Sequence, residues 1–134
     1  MSNDTMPDYG PRDIEDEYFQ EIYRADRILR RAEAGDPEAM TQMGRCFYMG
    51  EGRQENYRLA LKYLRKPAEM GDAVAQYYCG LIYEEGEPEV PREFRGVPRD
   101  PAEARRWLGL AAAQGYEKAV KALERLNGAT EQKD

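Results

Sequence analysis

The sequence predicts an all-α fold, an α-α superhelix of stacked helix-turn-helix repeats with two complete units and flanking half units. Three observations carry this. A block of residues recurs at fixed spacing, the apolar residues inside each block follow the helical period, and no segment sustains the alternation of a strand. "AEAGDPEA" at 32–39 returns as "AEMGDAVA" at 68–75, an offset of 36 that carries Met43 onto Cys79, Gly44 onto Gly80, Phe47 onto Tyr83 and Gly50 onto Gly86. Beyond Gly86 the register breaks. It resumes at an offset of 44, with Gly52 on Gly96, Ala60 on Ala104, Tyr63 on Trp107 and Gly71 on Gly115. The difference places an eight-residue insert at Pro88–Arg95, "PEVPREFR", inside one G-x-G turn whose halves are Gly86-Glu87 and Gly96.

The elements follow in order. Residues 1–12 and 128–134 read as frayed or disordered tails around a repeat domain at 13–127. The first helix is expected at 13–34. The second, at 37–49, carries Ala39, Met43 and Phe47 at i, i+4 and i+8 with Met40 and Cys46 beside them, and Asp36-Pro37 starts it with an N-cap and a first-turn proline. Helices at 56–70 and 73–85 complete the first hairpin and open the next. After the insert, Asp100-Pro101 with Glu103 starts a helix at 101–114 through a variant of the capping box. The last is expected at 117–127. Gly71 and Gly115, each following an alanine-rich helix, are placed to end it with positive φ.

The phrases "AMTQMGRCFYMGEG" with "NYRLALKYLRKPAEMG", and "AQYYCGLIYEEG…G" with "DPAEARRWLGLAAAQG", resemble the Sel1-like repeat, a relative of the tetratricopeptide repeat. The likeness covers about Ala32 to Leu126. This chain departs from the pattern at Asn56, Tyr63 and Arg53, where aspartate, tryptophan and valine are usual.

Most conspicuous residues are explained by packing. Gly44 and Gly80 fall mid-helix, where glycine costs roughly 1 kcal/mol relative to alanine, so close approach of a neighbouring helix is expected there. "GEG" at 50–52 follows no strand and lacks the lysine of a phosphate loop. Trp107 and Tyr63 share one repeat position and are assigned to the core, as are Cys46 and Cys79, which occupy apolar slots.

Chemistry is excluded by inventory. There is no histidine, and the one serine is at position 2, so no Ser-His or Cys-His relay and no imidazole metal ligand can be assembled, and general acid/base work would fall to carboxylates. Glu84, Glu85, Glu87 and Glu89 cluster, which reads as a solvated rim. No catalytic residue, cofactor or metal is expected.

Binding falls to the side chains that the repeat interior does not require. Thr41, Arg45 and Tyr48 form a second stripe on the 37–49 helix. Tyr77, Leu81 and Glu84 are their equivalents, Tyr78 lies beside them, and Lys121 and Arg125 continue the row. The resemblance implies that these helices line the concave side of the superhelix, the surface that solenoids offer to partners. If Tyr77 is exposed, Tyr77→Ala should change stability by only about 0.5 kcal/mol. Phe94, held between arginines in the proline-rich insert, is a further candidate, either as a contact or packed back on a hairpin.

With 20 basic and 26 acidic residues the 134-residue chain carries a net charge of −6, and no run of cations forms a patch, so nucleic acid and anionic membrane are poor partners. No segment has the length of a membrane span or the pattern of a signal peptide, and the two cysteines suit a reducing compartment; the cytoplasm is expected. The composite expectation is a non-enzymatic adaptor that binds a protein partner. A narrower version, implied by similar small proteins, neutralises a cognate toxin or effector; the rival is a homodimer or larger homo-oligomer paired through its terminal helices.

Overall fold

The computed structural model describes residues 17–87 and 96–132. Among these, six helices and no strand occur: α1 (Glu17–Glu33), α2 (Pro37–Met49), α3 (Tyr57–Glu69), α4 (Ala73–Glu85), α5 (Pro101–Ala113) and α6 (Glu117–Gln132). The internal bounds agree with the sequence within a residue or so. At the C-terminus α6 continues to Gln132, past the expected end at 127, because Gly128 keeps helical geometry and good helix formers follow it. The expected N-terminal tail, the start of the first helix at 13–16, and the insert Pro88–Arg95 with Phe94 lie outside the described residues.

Helices α2, α3, α4 and α5 each start at a side-chain cap. Asp36 accepts from the Glu38 amide at 3.1 Å, Asn56 from Leu59 at 2.9 Å, Asp72 from Val74 at 2.9 Å and Asp100 from Glu103 at 3.1 Å. Asn56 thus replaces the usual aspartate without losing the cap. The reciprocal half of a capping box is not made at Asp100, because the Glu103 carboxylate binds the Arg106 guanidinium instead. Gly71 and Gly115 adopt φ of 103° and 84°, and the amides that follow them reach back to Pro67 and Ala111 carbonyls, closing both helices alike.

Helix α2 packs on α4 and α4 on α6, while α1, α3 and α5 pack chiefly on those three. Helices on the inside of a curved stack approach one another and those outside spread apart, so α2, α4 and α6 form the concave layer. The core is a succession of clusters: Ile28, Ala32, Met43 and Cys46 between α1 and α2; Leu64, Cys79, Ile82 and Trp107 through α3, α4 and α5; Leu108, Ala111, Ala122 and Leu126 between α5 and α6. The two mid-helix glycines lie at the tightest of these contacts. A Cβ on Gly44 would sit 2.3 Å from Leu64 Cγ, and one on Gly80 would sit 2.5 Å from Leu108 Cγ. Both cysteines are free thiols in the core.

The split turn is whole in space. The Glu87 amide donates to the Val97 carbonyl at 3.1 Å, and the Glu87 carboxylate accepts from the Gly96 amide at 2.6 Å. The Asn56 amide bonds the Phe47 carbonyl at 2.8 Å, and at the equivalent positions Asp100 bonds Tyr83 at 2.7 Å. The insert therefore leaves and re-enters a turn of the same closure as the uninterrupted one.

Charge is distributed less evenly than its net value suggests. Arg27 and Arg30 of α1 and Arg58, Lys62, Arg65 and Lys66 of α3 are all exposed, and all belong to the outer layer. Arg58, Lys62 and Arg65 also line one cleft, so three cations meet on α3 although the sequence shows no run of them.

Candidate interaction face on the inner layer

Five tyrosines run in contact from the start of α3 across the inner layer. Tyr57, at the start of α3, meets Tyr48 of α2 with ring centroids 5.3 Å apart; Tyr48 meets Tyr78 of α4 at 5.6 Å; Tyr78 meets Tyr77 at 5.1 Å; and Tyr77 meets Tyr116, just ahead of α6, at 5.3 Å. Tilted and edge-on rings at these separations attract through their quadrupoles, so the row braces three helices as well as lining them. Tyr57 is buried and the other four are half-buried.

One carboxylate holds the end of the row. Glu85 accepts from the Tyr57 hydroxyl at 2.7 Å through Oε1 and from the Tyr48 hydroxyl at 3.0 Å through Oε2. Burial, then the proximity of this carboxylate, raises both phenols above the ordinary range, and burial also raises Tyr77 and Tyr78. Its neighbours in the acidic cluster are likewise engaged. Glu84 accepts from Arg125 at 2.6 Å, and Glu87 closes the split turn. These three carboxylates stay on a solvent-reached rim while each accepts from a nearby donor; Glu89 lies outside the described residues.

The proposed contact residues divide. Thr41 is buried, its hydroxyl donating to Asp72 Oδ2 at 2.9 Å, and Leu81 is buried among Ala104, Leu108 and Leu126. Leu81 is removed from the candidate surface, and Thr41 keeps only a buried edge of it. Periodicity places them on its stripe, but the neighbouring repeat closes over that part of it. Tyr77 is half-covered by two aromatic neighbours, so Tyr77→Ala costs more than an exposed residue would, about 1 kcal/mol or more. Arg45 is half-buried and paired with Glu51 at 3.0 Å. Tyr48, Tyr77, Tyr78 and Glu84 line the inner layer, and Lys121 and Arg125 project from α6 into solvent.

Beside the row lies an open cleft of about 340 Å³, lined by Thr41, Gln42 and Arg45 of α2, Val74 and Tyr78 of α4, and Tyr116 and Lys118 at the start of α6. Gln42, Val74, Tyr116 and Lys118 were not among the sequence candidates. Only repeat-to-repeat stacking brings them together, and Tyr116 and Lys118 had no signal beyond following Gly115. Among the described residues no group of three histidine, cysteine or carboxylate side chains is arranged to hold a metal, and no helix is long and apolar enough to cross a membrane.

The family model for the Sel1 repeat matches residues 37–72 and 73–116, placing its boundaries at the two helix-closing glycines. An F-box protein of Arabidopsis thaliana is 35% identical over 94 residues, which is 70% of this chain and 23% of that protein. Among solved structures, a Sel1 repeat protein from Oxalobacter formigenes superposes with a TM-score of 0.62 at 28% identity, over 78% of this chain and 28% of the other. The protective antigen c5321 of uropathogenic Escherichia coli, which displays an SLR fold, superposes with a TM-score of 0.60 at 30% identity, over 74% and 20%. The chain spans less than a third of the length of each.

Proposed function

The chain belongs to the Sel1 repeat family, and from that premise we propose that it is a non-catalytic protein-interaction module whose binding surface is the inner layer of α2, α4 and α6. The observation that carries this reading is the half-buried tyrosine row beside an open cleft. Large amphipathic rings held in fixed positions lose little entropy on docking and are enriched where interfaces concentrate their energy.

Neutralisation of a cognate toxin or effector is a narrower form of the same reading, with the acidic N-terminal region meeting a basic target. The rival, homo-oligomerisation through α6, finds less support. The exposed positions of α6 between 117 and 127 are Glu117, Lys118, Lys121, Glu124, Arg125 and Asn127, and none of the large exposed apolar side chains is on it. That polar outer surface is what a solenoid needs at its end to stay soluble as a single copy.

The test is site-specific photo-crosslinking in the native host, with the crosslinker at position 121 on the inner side or at 62 on the outer. One heterologous protein captured from 121 and lost with Tyr78→Ala supports the reading. Capture from 62 alone, or of a second copy alone, refutes it.

A further inference from the structure

We propose that the cleft between α2, α4 and α6 takes an extended acidic-apolar peptide segment of the partner, whose backbone pairs with the Gln42 carboxamide while a carboxylate meets Lys118. This inference rests on the inner layer being the interaction face and assigns the chemistry of what it binds.

The first argument is an unmet hydrogen bond. Gln42 Oε1 is buried and accepts from no donor, although the residue lines the cleft. A buried acceptor left without a partner raises the free energy of the unliganded state, and a ligand that satisfies it recovers that cost. A side-chain carboxamide and a peptide group each present one N–H donor and one C=O acceptor in a plane, so they pair reciprocally.

Charge supplies the second argument. Of the two cations lining the cleft, Arg45 is paired with Glu51, while Lys118 is exposed and forms no ion pair among the described residues. The nearest carboxylate on the Thr41 side, that of Asp72, is committed to the Val74 and Ala75 amides and the Thr41 hydroxyl. Glu84 is paired with Arg125, and the charge of Glu85, bonded only by neutral phenols, lies at the far end of the tyrosine row, beyond the cleft's own lining. One unmatched ammonium beside Val74, Tyr78 and Tyr116 suits a single carboxylate flanked by apolar side chains. A phosphodiester chain would be served by a row of cations, which this cleft lacks.

The test titrates the full chain, isotopically labelled for NMR, with three probes: a pool of acetylated octapeptides of Leu, Val, Tyr, Asp and Glu; a matched pool with Lys and Arg in place of the acids; and a thymidine dodecanucleotide. Expected are shifts of the Gln42 side-chain amide and of the 116–118 backbone with the acidic pool. Gln42→Ala should weaken binding about tenfold, Lys118→Glu should reverse the preference between pools, and Lys62→Glu on the outer layer should leave both unchanged. Each variant must keep the wild-type thermal transition. Preference for the basic pool or the oligonucleotide at the cleft, acidic-pool shifts confined to other residues, or no shift at millimolar peptide would each overturn the assignment. If crosslinking from position 121 still captures a partner in those cases, the interaction face stands and only its ligand chemistry is wrong.

Discussion

Gly80 faces Leu108 across the α4–α5 interface with no room for a side chain, a Cβ there falling 2.5 Å from Leu108 Cγ. Gly80→Ala is therefore expected to destabilise the fold by about 1–3 kcal/mol through overpacking, against the gain in helix propensity. Gly109, also within a helix, has no atom within 4 Å of its would-be Cβ. Gly109→Ala should stabilise by up to about 1 kcal/mol. Urea denaturation of the two variants gives opposite signs if the glycine at 80 is there for packing; equal signs would refute that.

Deletion of Pro88–Arg95, joining Glu87 to Gly96, should leave the fold intact and change stability by less than about 1 kcal/mol, because the insert-free Gly50-Glu51-Gly52 turn is closed by an Asn56–Phe47 hydrogen bond equivalent to Asp100–Tyr83, and loop length enters only logarithmically. Glu87→Ala removes the acceptor for the Gly96 amide and is expected to cost about 1 kcal/mol. Thermal unfolding of both variants checks the pair, and a deletion that costs more than Glu87→Ala would show the insert to be structural.

Tyr48 and Tyr57 should make the protein sensitive to alkali. Burial, reinforced by the shared Glu85, raises both phenols in the folded state above the unfolded value of about 10. The unfolded chain then releases protons at lower pH than the folded one. The stabilisation is fully present below about pH 10 and is lost as pH climbs towards the folded-state values. Denaturation at a series of pH values should show the double variant Tyr48→Phe, Tyr57→Phe losing less stability than wild type between about pH 9 and about pH 11. Parallel losses would contradict the assignment.

The thiols should be masked in the native state. Burial pushes Cys79 up to about 12 and raises Cys46 as well, so little thiolate forms at neutral pH and reagents reach it only when the chain opens. Labelling by an aromatic disulfide should be slow in buffer and accelerate in proportion to unfolding as urea is added. Rapid labelling without denaturant would place a thiol at the surface.

Helix bounds, caps and core glycines were legible because each depends on short-range chemistry written locally. Asp36 and Asp100 cap the next turn, Gly71 and Gly115 end a helix, and a 36-residue offset repeats the same interior. The candidate face was legible only in part. Periodicity selects a stripe but does not say how far the neighbouring repeat closes over it, which is why Thr41 and Leu81 were expected outside and are buried.

The sequence by itself determined the repeat, its helices, the place of the insert and the lack of any histidine, since all of these follow from residue identity and spacing along the chain. Tertiary structure decided which side chains share a surface: the tyrosine row from Tyr57 to Tyr116, the two hydroxyls on Glu85, and the cleft at Gln42 and Lys118. Those sets join residues of different repeats. Their geometry is set by the rotation and spacing between stacked hairpins, which no single hairpin's sequence encodes.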